Sequence, residues 1–324
     1  MRLSQMSAHK LEVNMQNSSV ESASADANKL LSTKGKTFYW ASFLLNKRHA
    51  QRATRLYRFC RYIDDLADEA PSISMANKHL KKLRGDINQG QSDDLIVADA
   101  LLLFNECNIE KAIVLELING VHSDLEKVRM RDLDELLHYC YQVAGTVGLM
   151  MCRVLDIEDK AAYPFAIDLG IAMQLTNICR DVRDDAVLGR RYLPTTLVSN
   201  LEPTELITPN EDIQQPLSAA LASLLGVADS YYQSGNAGLA FIPLRARAGI
   251  LIASKLYQAI GNKLQKQGYH YWQKRAMLSK QDKLTLSIKT LSALFFTAEF
   301  WRVVTSHDKK LHQSLSALPY THAS

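Results

Sequence analysis

The sequence predicts an all-α fold, and three observations carry that reading. Glycine and proline number only 14 and 8 in 324 residues, too few for a loop-rich or β-rich chain. Long stretches repeat apolar residues at i, i+3, i+4 and i+7, the period of a helix with one buried face. Period-two alternation of β-branched residues is scarce, so strands find little support. At 47% hydrophobic and 22% charged residues the chain can bury a sizeable core, and neither an internal repeat nor a linker-like break divides it. One helical domain is expected over residues 29–305, after a disordered lead-in at 1–28 and before a polar tail at 306–324.

Composition narrows the function classes. A formal charge of +4 is too small to imply nucleic-acid binding, and no zinc-finger, RNP or basic-zipper pattern appears. The five cysteines, Cys60, Cys107, Cys140, Cys152 and Cys179, form no CxxC pair and read as buried thiols in a reducing compartment. Residues 1–28 contain acids and no apolar core run, unlike a signal or transit peptide. No uncharged run is long enough to span a bilayer, so a cytoplasmic location is expected. Between Arg245 and Lys289 ten Lys or Arg accompany a single acid, Asp282, which suits phosphate groups or an anionic membrane surface, so peripheral membrane contact is expected as well.

Taken in order, Ser32 to Gly35 precede an aromatic helix opening at Phe38, Tyr39 and Trp40. The Gly-Lys-Thr at Gly35 to Thr37 is no P-loop, because the earlier glycine of that motif would fall on Leu30. Residues 50–69 form the next helix. There Asp64 and Asp68 are four apart, Asp65 and Asp68 three apart, and Tyr57 and Arg61 stack along the same side. Pro71 and Ser72 end it, and 78–90 is polar surface. Residues 132–155 carry helical apolar spacing through Ala144-Gly145-Thr146-Val147-Gly148. Glycine inside a helix costs about 1 kcal/mol against alanine, so the pair should gain close helix packing or room for an apolar ligand beside a kink.

Gln174 to Asp185, QLTNICRDVRDD, is apolar enough for a buried helix yet sets Asn177, Asp181 and Asp185 four apart, with Arg180 among them. Those three side chains fan over about 80° of one face. Like charges at that spacing cost about 0.2–0.5 kcal/mol even in water, so a cation is expected between them. Residues 186–194 leave as a loop bearing Arg190 and Arg191, and 202–216 is a polar connection. Helices follow at 217–240 and 245–267, then an aromatic and basic stretch at 269–275 and a last amphipathic helix at 284–304.

Two carboxylate-bearing helices make an oxygen-rich site for a hard divalent ion, Mg²⁺ or Mn²⁺, which takes one or two carboxylates together with substrate phosphate oxygens. Arg61, Arg180, Arg190 and Arg191 lie near the acids, and guanidinium groups grip phosphate with two prongs. Acids for metal with arginines for phosphate imply a diphosphate substrate, whose departure leaves a carbocation to be kept from water by aromatics. Phe38, Tyr57, Tyr139, Tyr141 and Tyr257 are candidates for that lining.

CRYIDDLAD and QLTNICRDVRDDAVLGRRYLP, with YCYQVAGTVG between them, resemble the squalene and phytoene synthase family. The resemblance runs from about residue 32 to 304. It implies a single isoprenoid synthase domain of helices around a central active-site cavity, joining two prenyl diphosphates head to head. It also implies metal binding by Asp64, Asp65, Asp68, Asn177, Asp181 and Asp185, and diphosphate contacts from Tyr57, Arg61, Arg180 and Arg191. Lys36, Phe38, Gln174, Tyr257 and Arg275 would touch substrate, Tyr139 would face the cavity, and Gly145 and Gly148 would lie beside the prenyl chains. GRRYLP and AGTVGLMM look most like the bacterial phytoene-forming branch, with farnesyl-diphosphate enzymes making presqualene diphosphate, squalene or dehydrosqualene as rivals. A non-catalytic scaffold of the same fold would have no reason to keep all the metal positions and the arginines.

Overall fold

The computed structural model describes residues 44–294, 298–302 and 306–322. The lead-in at 1–28, the aromatic helix opening, Lys36 and Phe38 lie outside the described residues. Within them the chain is helical, with a lone bridge between Arg129 and Arg191 standing outside any strand. Helix α1 (Lys47–Asp68) starts where the Asn46 side chain accepts the His49 amide at 2.8 Å, and it buries Leu56, Phe59, Ile63 and Ala67 on one stripe. Helix α2 (Ile73–Gln89) is capped by Ser72 and stops at Gly90, whose φ of 75° is a conformation glycine adopts without a steric penalty. Asp94 caps α3 (Leu95–Cys107), and α4 (Lys111–Ser123) follows; α1 packs against all three.

The helix expected over 132–155 is interrupted. Helix α5 (Leu133–Cys140) passes into a π-helical turn at Tyr141–Gly145 and then into α6 (Thr146–Val154). The wider turn swings Val143 and Ala144 toward the central cavity, the kink that the glycine pair allowed.

Helix α7 (Tyr163–Val187) is the hub, contacting the π turn, α5, α6 and the later helices α9 (Pro203–Ile207), α10 (Glu211–Ala237) and α11 (Leu244–Lys266). Short α8 (Thr195–Val198) precedes α9, and α12 (Lys280–Ala293) and α13 (Ala298–Trp301) follow α11. Approach to α7 is close: a Cβ on Gly148 would run into the Ala166 carbonyl, and one on Gly170 into the Ala144 carbonyl. Helix α10 begins earlier than expected, because Asn210 caps it at the Ile213 amide. Pro216 sits only one turn and a half inside, where few backbone bonds are lost. The last helix, expected over 284–304, is instead α12 ending at Ala293, with the short α13 beyond it.

Residues 306–322 pack into the body. A 3₁₀ turn at Lys309–Leu315 buries His312 and Leu315, Leu318 joins the core, and the Tyr141 and Tyr231 hydroxyls donate to the Pro319 and Leu311 carbonyls at 2.7 and 2.6 Å. The five cysteines are unpaired. No described helix is long and apolar enough to cross a membrane.

Candidate active site between two acidic helices

Helix α7 holds the site through the order of residues along one of its faces. Ala166, Leu169, Gly170, Met173, Gln174 and Asn177 line a central cavity of about 350 Å³, apolar first and polar last, and Asp181 and Asp185 continue the stripe. Helix α1 runs the same gradient. Ala53, Tyr57, Cys60 and Asp64 line the opposite wall, and Asp68 extends it. Tyr257 on α11 closes the side. The result is a hydrocarbon-lined chamber with carboxylates gathered at one end.

Electrostatics at that end is unbalanced. Burial pushes the Asp64 carboxyl up to about 7 despite nearby Arg61, with Asp68 and Asp124 adding to the rise. Burial and then the neighbouring Asp181 push Asp185 up to about 7 as well. The Oδ1 of Asn177 is buried without a hydrogen-bond partner, while its amide donates to Gln174 Oε1 at 3.4 Å. An unsatisfied neutral oxygen one helical turn from Asp181, with the Asp64 and Asp185 carboxyls held up chiefly by burial, is a donor set that a hard cation would complete. Asp64, Asp68, Asn177, Asp181 and Asp185 therefore fit a divalent ion.

The arginines are disposed around the acids. Arg61 pairs with Asp65 on the same helix, and Arg180 clasps Asp181, its Nε donating at 2.7 Å. Arg275 reaches Asp181 at 2.7 Å and Asp184 at 3.2 Å, which places it at the second acidic cluster.

Some expected positions are corrected. Arg191 is not beside the acids. It is 3% exposed, and its guanidinium donates to the Leu193 carbonyl at 2.8 Å and the Thr195 hydroxyl at 2.8 Å, holding its own loop. Arg190 takes the expected place, donating to Asp68 at 2.9 Å and so tying the loop after one acidic helix to the other. Gly145 does not face the cavity, since a Cβ there would meet Tyr141 and Ile167 at 3.1 and 3.3 Å. Gly148 lines the cavity and also packs on α7. Tyr139 and Tyr141 are not among the lining residues; Tyr141 points to the C-terminal segment. The Tyr139 hydroxyl donates to Asp124 at 2.9 Å, where Tyr192, stacked on it, also donates at 2.6 Å.

Asp124 is the residue that sequence reasoning missed. Burial raises its carboxyl above the ordinary range, while the Tyr192 hydroxyl and Arg190 oppose the rise. It ends α4 in an unremarkable HSDLEK stretch and has no motif around it, so only the packing of the helices shows that it faces Asp64, Asp68 and Asp185.

An all-α body with two acidic helices meeting at the mouth of an apolar chamber defines an isoprenoid synthase fold. The sequence matches the squalene/phytoene synthase family over residues 31–282, and the chain belongs to that family. Its relatives include the 15-cis-phytoene synthase of Pantoea ananas, 34% identical over 265 residues, covering 78% of this chain and 85% of the relative. The phytoene synthase of Cereibacter sphaeroides is 32% identical over 278 residues, covering 82% and 78%. A crystal structure of a dehydrosqualene synthase in complex with ligand superposes with a TM-score of 0.75 at 28% identity, covering 86% of this chain and 99% of that one. The squalene synthase HpnC from Alicyclobacillus acidocaldarius, at 19% identity and a TM-score of 0.67 over 78% and 96% of the two chains, shares the fold.

Proposed function

We propose that the protein is a Mg²⁺-dependent phytoene synthase. It would join two geranylgeranyl diphosphates head to head, through prephytoene diphosphate, to phytoene and two diphosphates. The observation that carries this reading is the gradient along α1 and α7, carboxylates at one end of a cavity and hydrocarbon along the rest. The phytoene synthases among the relatives support the C20 substrate. Asp64, Asp68, Asn177, Asp181 and Asp185 would hold the metal, which when bound neutralises the charge that develops on a departing diphosphate. Arg180, Arg190 and Arg275 would exchange part of their carboxylate contacts for phosphate oxygens and orient the diphosphate. Met173, Leu169 and Val147, which line the cavity, would exclude water from the prenyl chain, and Tyr57 and Tyr257 in the same wall would set aromatic rings beside developing positive charge.

The test is incubation with geranylgeranyl diphosphate and Mg²⁺, followed by identification of the hydrocarbon. A C40 product is expected, and chelation of divalent ions should abolish it. The likeness to a dehydrosqualene synthase favours one second reading, a C30 product from farnesyl diphosphate. Obtaining that product with no C40 product rejects the phytoene-forming reading.

A further inference from the structure

Asp168 of α7 is fully buried, does not line the central cavity, and lies against the C-terminal segment 306–322. Two imidazoles converge on it. The Nε2 atoms of His307 and His312 lie 2.6 and 2.7 Å from its Oδ2 and Oδ1, and the two rings are 4.4 Å apart and tilted by 47°. The outer contacts fix how these groups are used. His312 turns its Nδ1 to the Thr321 carbonyl at 3.3 Å, and a carbonyl only accepts, so Nδ1 carries a proton. Its Nε2 then aims a lone pair at a carboxylate oxygen, an arrangement that needs a second proton or a cation between the two atoms. The Ser234 hydroxyl meanwhile donates to Asp168 Oδ2 at 2.5 Å, holding the carboxylate from the side of α10. A histidine tied to a backbone carbonyl and a carboxylate tied to a hydroxyl are the supports that orient metal ligands.

We propose that Asp168, His307 and His312 form a Zn²⁺ site that clamps the C-terminal segment onto the hub helix. Their donor atoms, one carboxylate oxygen and two imidazole nitrogens, all lie within 4.8 Å of one another. That set differs in kind from the oxygen donors at the cavity mouth. Hard Mg²⁺ takes oxygen, whereas imidazole suits Zn²⁺, and two histidines with one carboxylate leave a fourth position for water. Zinc bonds of about 2.0–2.2 Å hold tetrahedral donors roughly 3.4 Å apart, so each imidazole has to withdraw by less than an ångström. The ion takes the place of the protons between the Nε2 atoms and the carboxylate, leaving each ring neutral with its proton on Nδ1. Phe165 meets the His307 ring edge-on at 5.4 Å, and buried Tyr231 turns its hydroxyl to the Leu311 carbonyl, so the walls offer the ion few competing ligands. The clamp is independent of the prenyl reading of the cavity.

The experiment titrates Zn²⁺ into the full chain, purified without a histidine tag and stripped of metal, with excess Mg²⁺ present to occupy the acids at the mouth. Calorimetry should show about one Zn²⁺ bound per chain. At about a hundredfold excess over its dissociation constant the ion should raise the melting temperature by several degrees. Zinc-edge X-ray absorption of the wild type, which needs no variant, should show two imidazoles and no sulfur. His307→Gln should weaken Zn²⁺ binding by more than about a hundredfold, and Ser234→Ala, which keeps all three ligands, by about 10–100-fold, with helical circular dichroism retained in both. Absence of both binding heat and melting shift in the wild type assigns the cluster to proton-bridged hydrogen bonds alone and overturns the proposal. A sulfur shell assigns the ion to a cysteine and an oxygen-only shell assigns it to the mouth, and either result overturns it too. So does unchanged Zn²⁺ affinity in His307→Gln.

Discussion

Arg190 and Arg191 are adjacent in sequence and opposite in duty. Arg190 bridges to Asp68 across the mouth of the cavity, whereas Arg191 satisfies backbone and hydroxyl oxygens inside its own loop. Arg190→Ala should lower turnover by about 10²-fold, the scale for losing one group that stabilises transition-state charge, with little change in melting temperature. Arg191→Ala should lose about 1–3 kcal/mol of stability and melt at a lower temperature, because it strands buried acceptors, and steady-state kinetics beside thermal melts separate the two. Asp185 gives a pH-dependent test. Its carboxyl is pushed up to about 7, so the folded state holds a proton that the unfolded chain has lost. The stability it contributes is therefore present below about pH 4 and is lost as pH rises toward 7. Asp185→Asn should abolish turnover and raise stability above pH 7 by about 2 kcal/mol, with a smaller gain at pH 4. Asp181 offers no such gain, since Arg180 and Arg275 both depend on it. The acidic positions were legible in the sequence because like charges at helical spacing demand an explanation. Which of two neighbouring arginines turns inward was not, since that is set by the loop's hydrogen bonds, and Asp124 had no local signal.

Helix periodicity located α1, α11, most of α10 and the acidic second half of α7, because each buries a stripe of three- and four-residue spacing. It could not locate the π turn, whose extra residue leaves the apolar pattern intact while rotating Val143 and Ala144 into the cavity. The glycine pair illustrates the same limit. Both residues read as one small-residue signal, yet Gly148 faces the α7 backbone and the cavity while Gly145 meets the Tyr141 ring and Ile167. Gly148→Ala should therefore force α6 away from Ala166 and misalign the wall of the cavity. A loss of about 2–4 kcal/mol is expected, on the scale of severe core overpacking, and denaturant melts would measure it. Gly145→Ala meets only side-chain atoms that can shift by tenths of an ångström, and should cost less than half as much.

The molecule as a whole is closed by a segment that the sequence presented as a polar tail. Its polarity is real, but the polar groups point inward to a charge already buried. Asp168 is fully buried on the back of α7, away from the cavity stripe, and each of its oxygens takes an imidazole, His307 at 2.6 Å and His312 at 2.7 Å, with the Ser234 hydroxyl also donating. Burial works to raise this carboxyl, yet the two histidine hydrogen bonds outweigh it and hold it below the ordinary carboxylate range. The sign is thus opposite to that of Asp185. The stability from Asp168 is present above about pH 4 and is lost as pH falls through its folded-state value. Nothing in a pattern of apolar spacing could announce a contact between residues 168 and 312, because it links a hub helix to the chain end. His312→Ala should leave the carboxylate half-paired in a dry site and cost about 3 kcal/mol at pH 7. Asp168→Ala should cost less than that, and adding His312→Ala to it should cost little more, because the second change then removes a partner from no buried charge. Thermal melts of the two single variants and the double variant at pH 7 close the cycle, and simple additivity of the two losses would show that the tail is held by its apolar contacts at Leu315 and Leu318 instead.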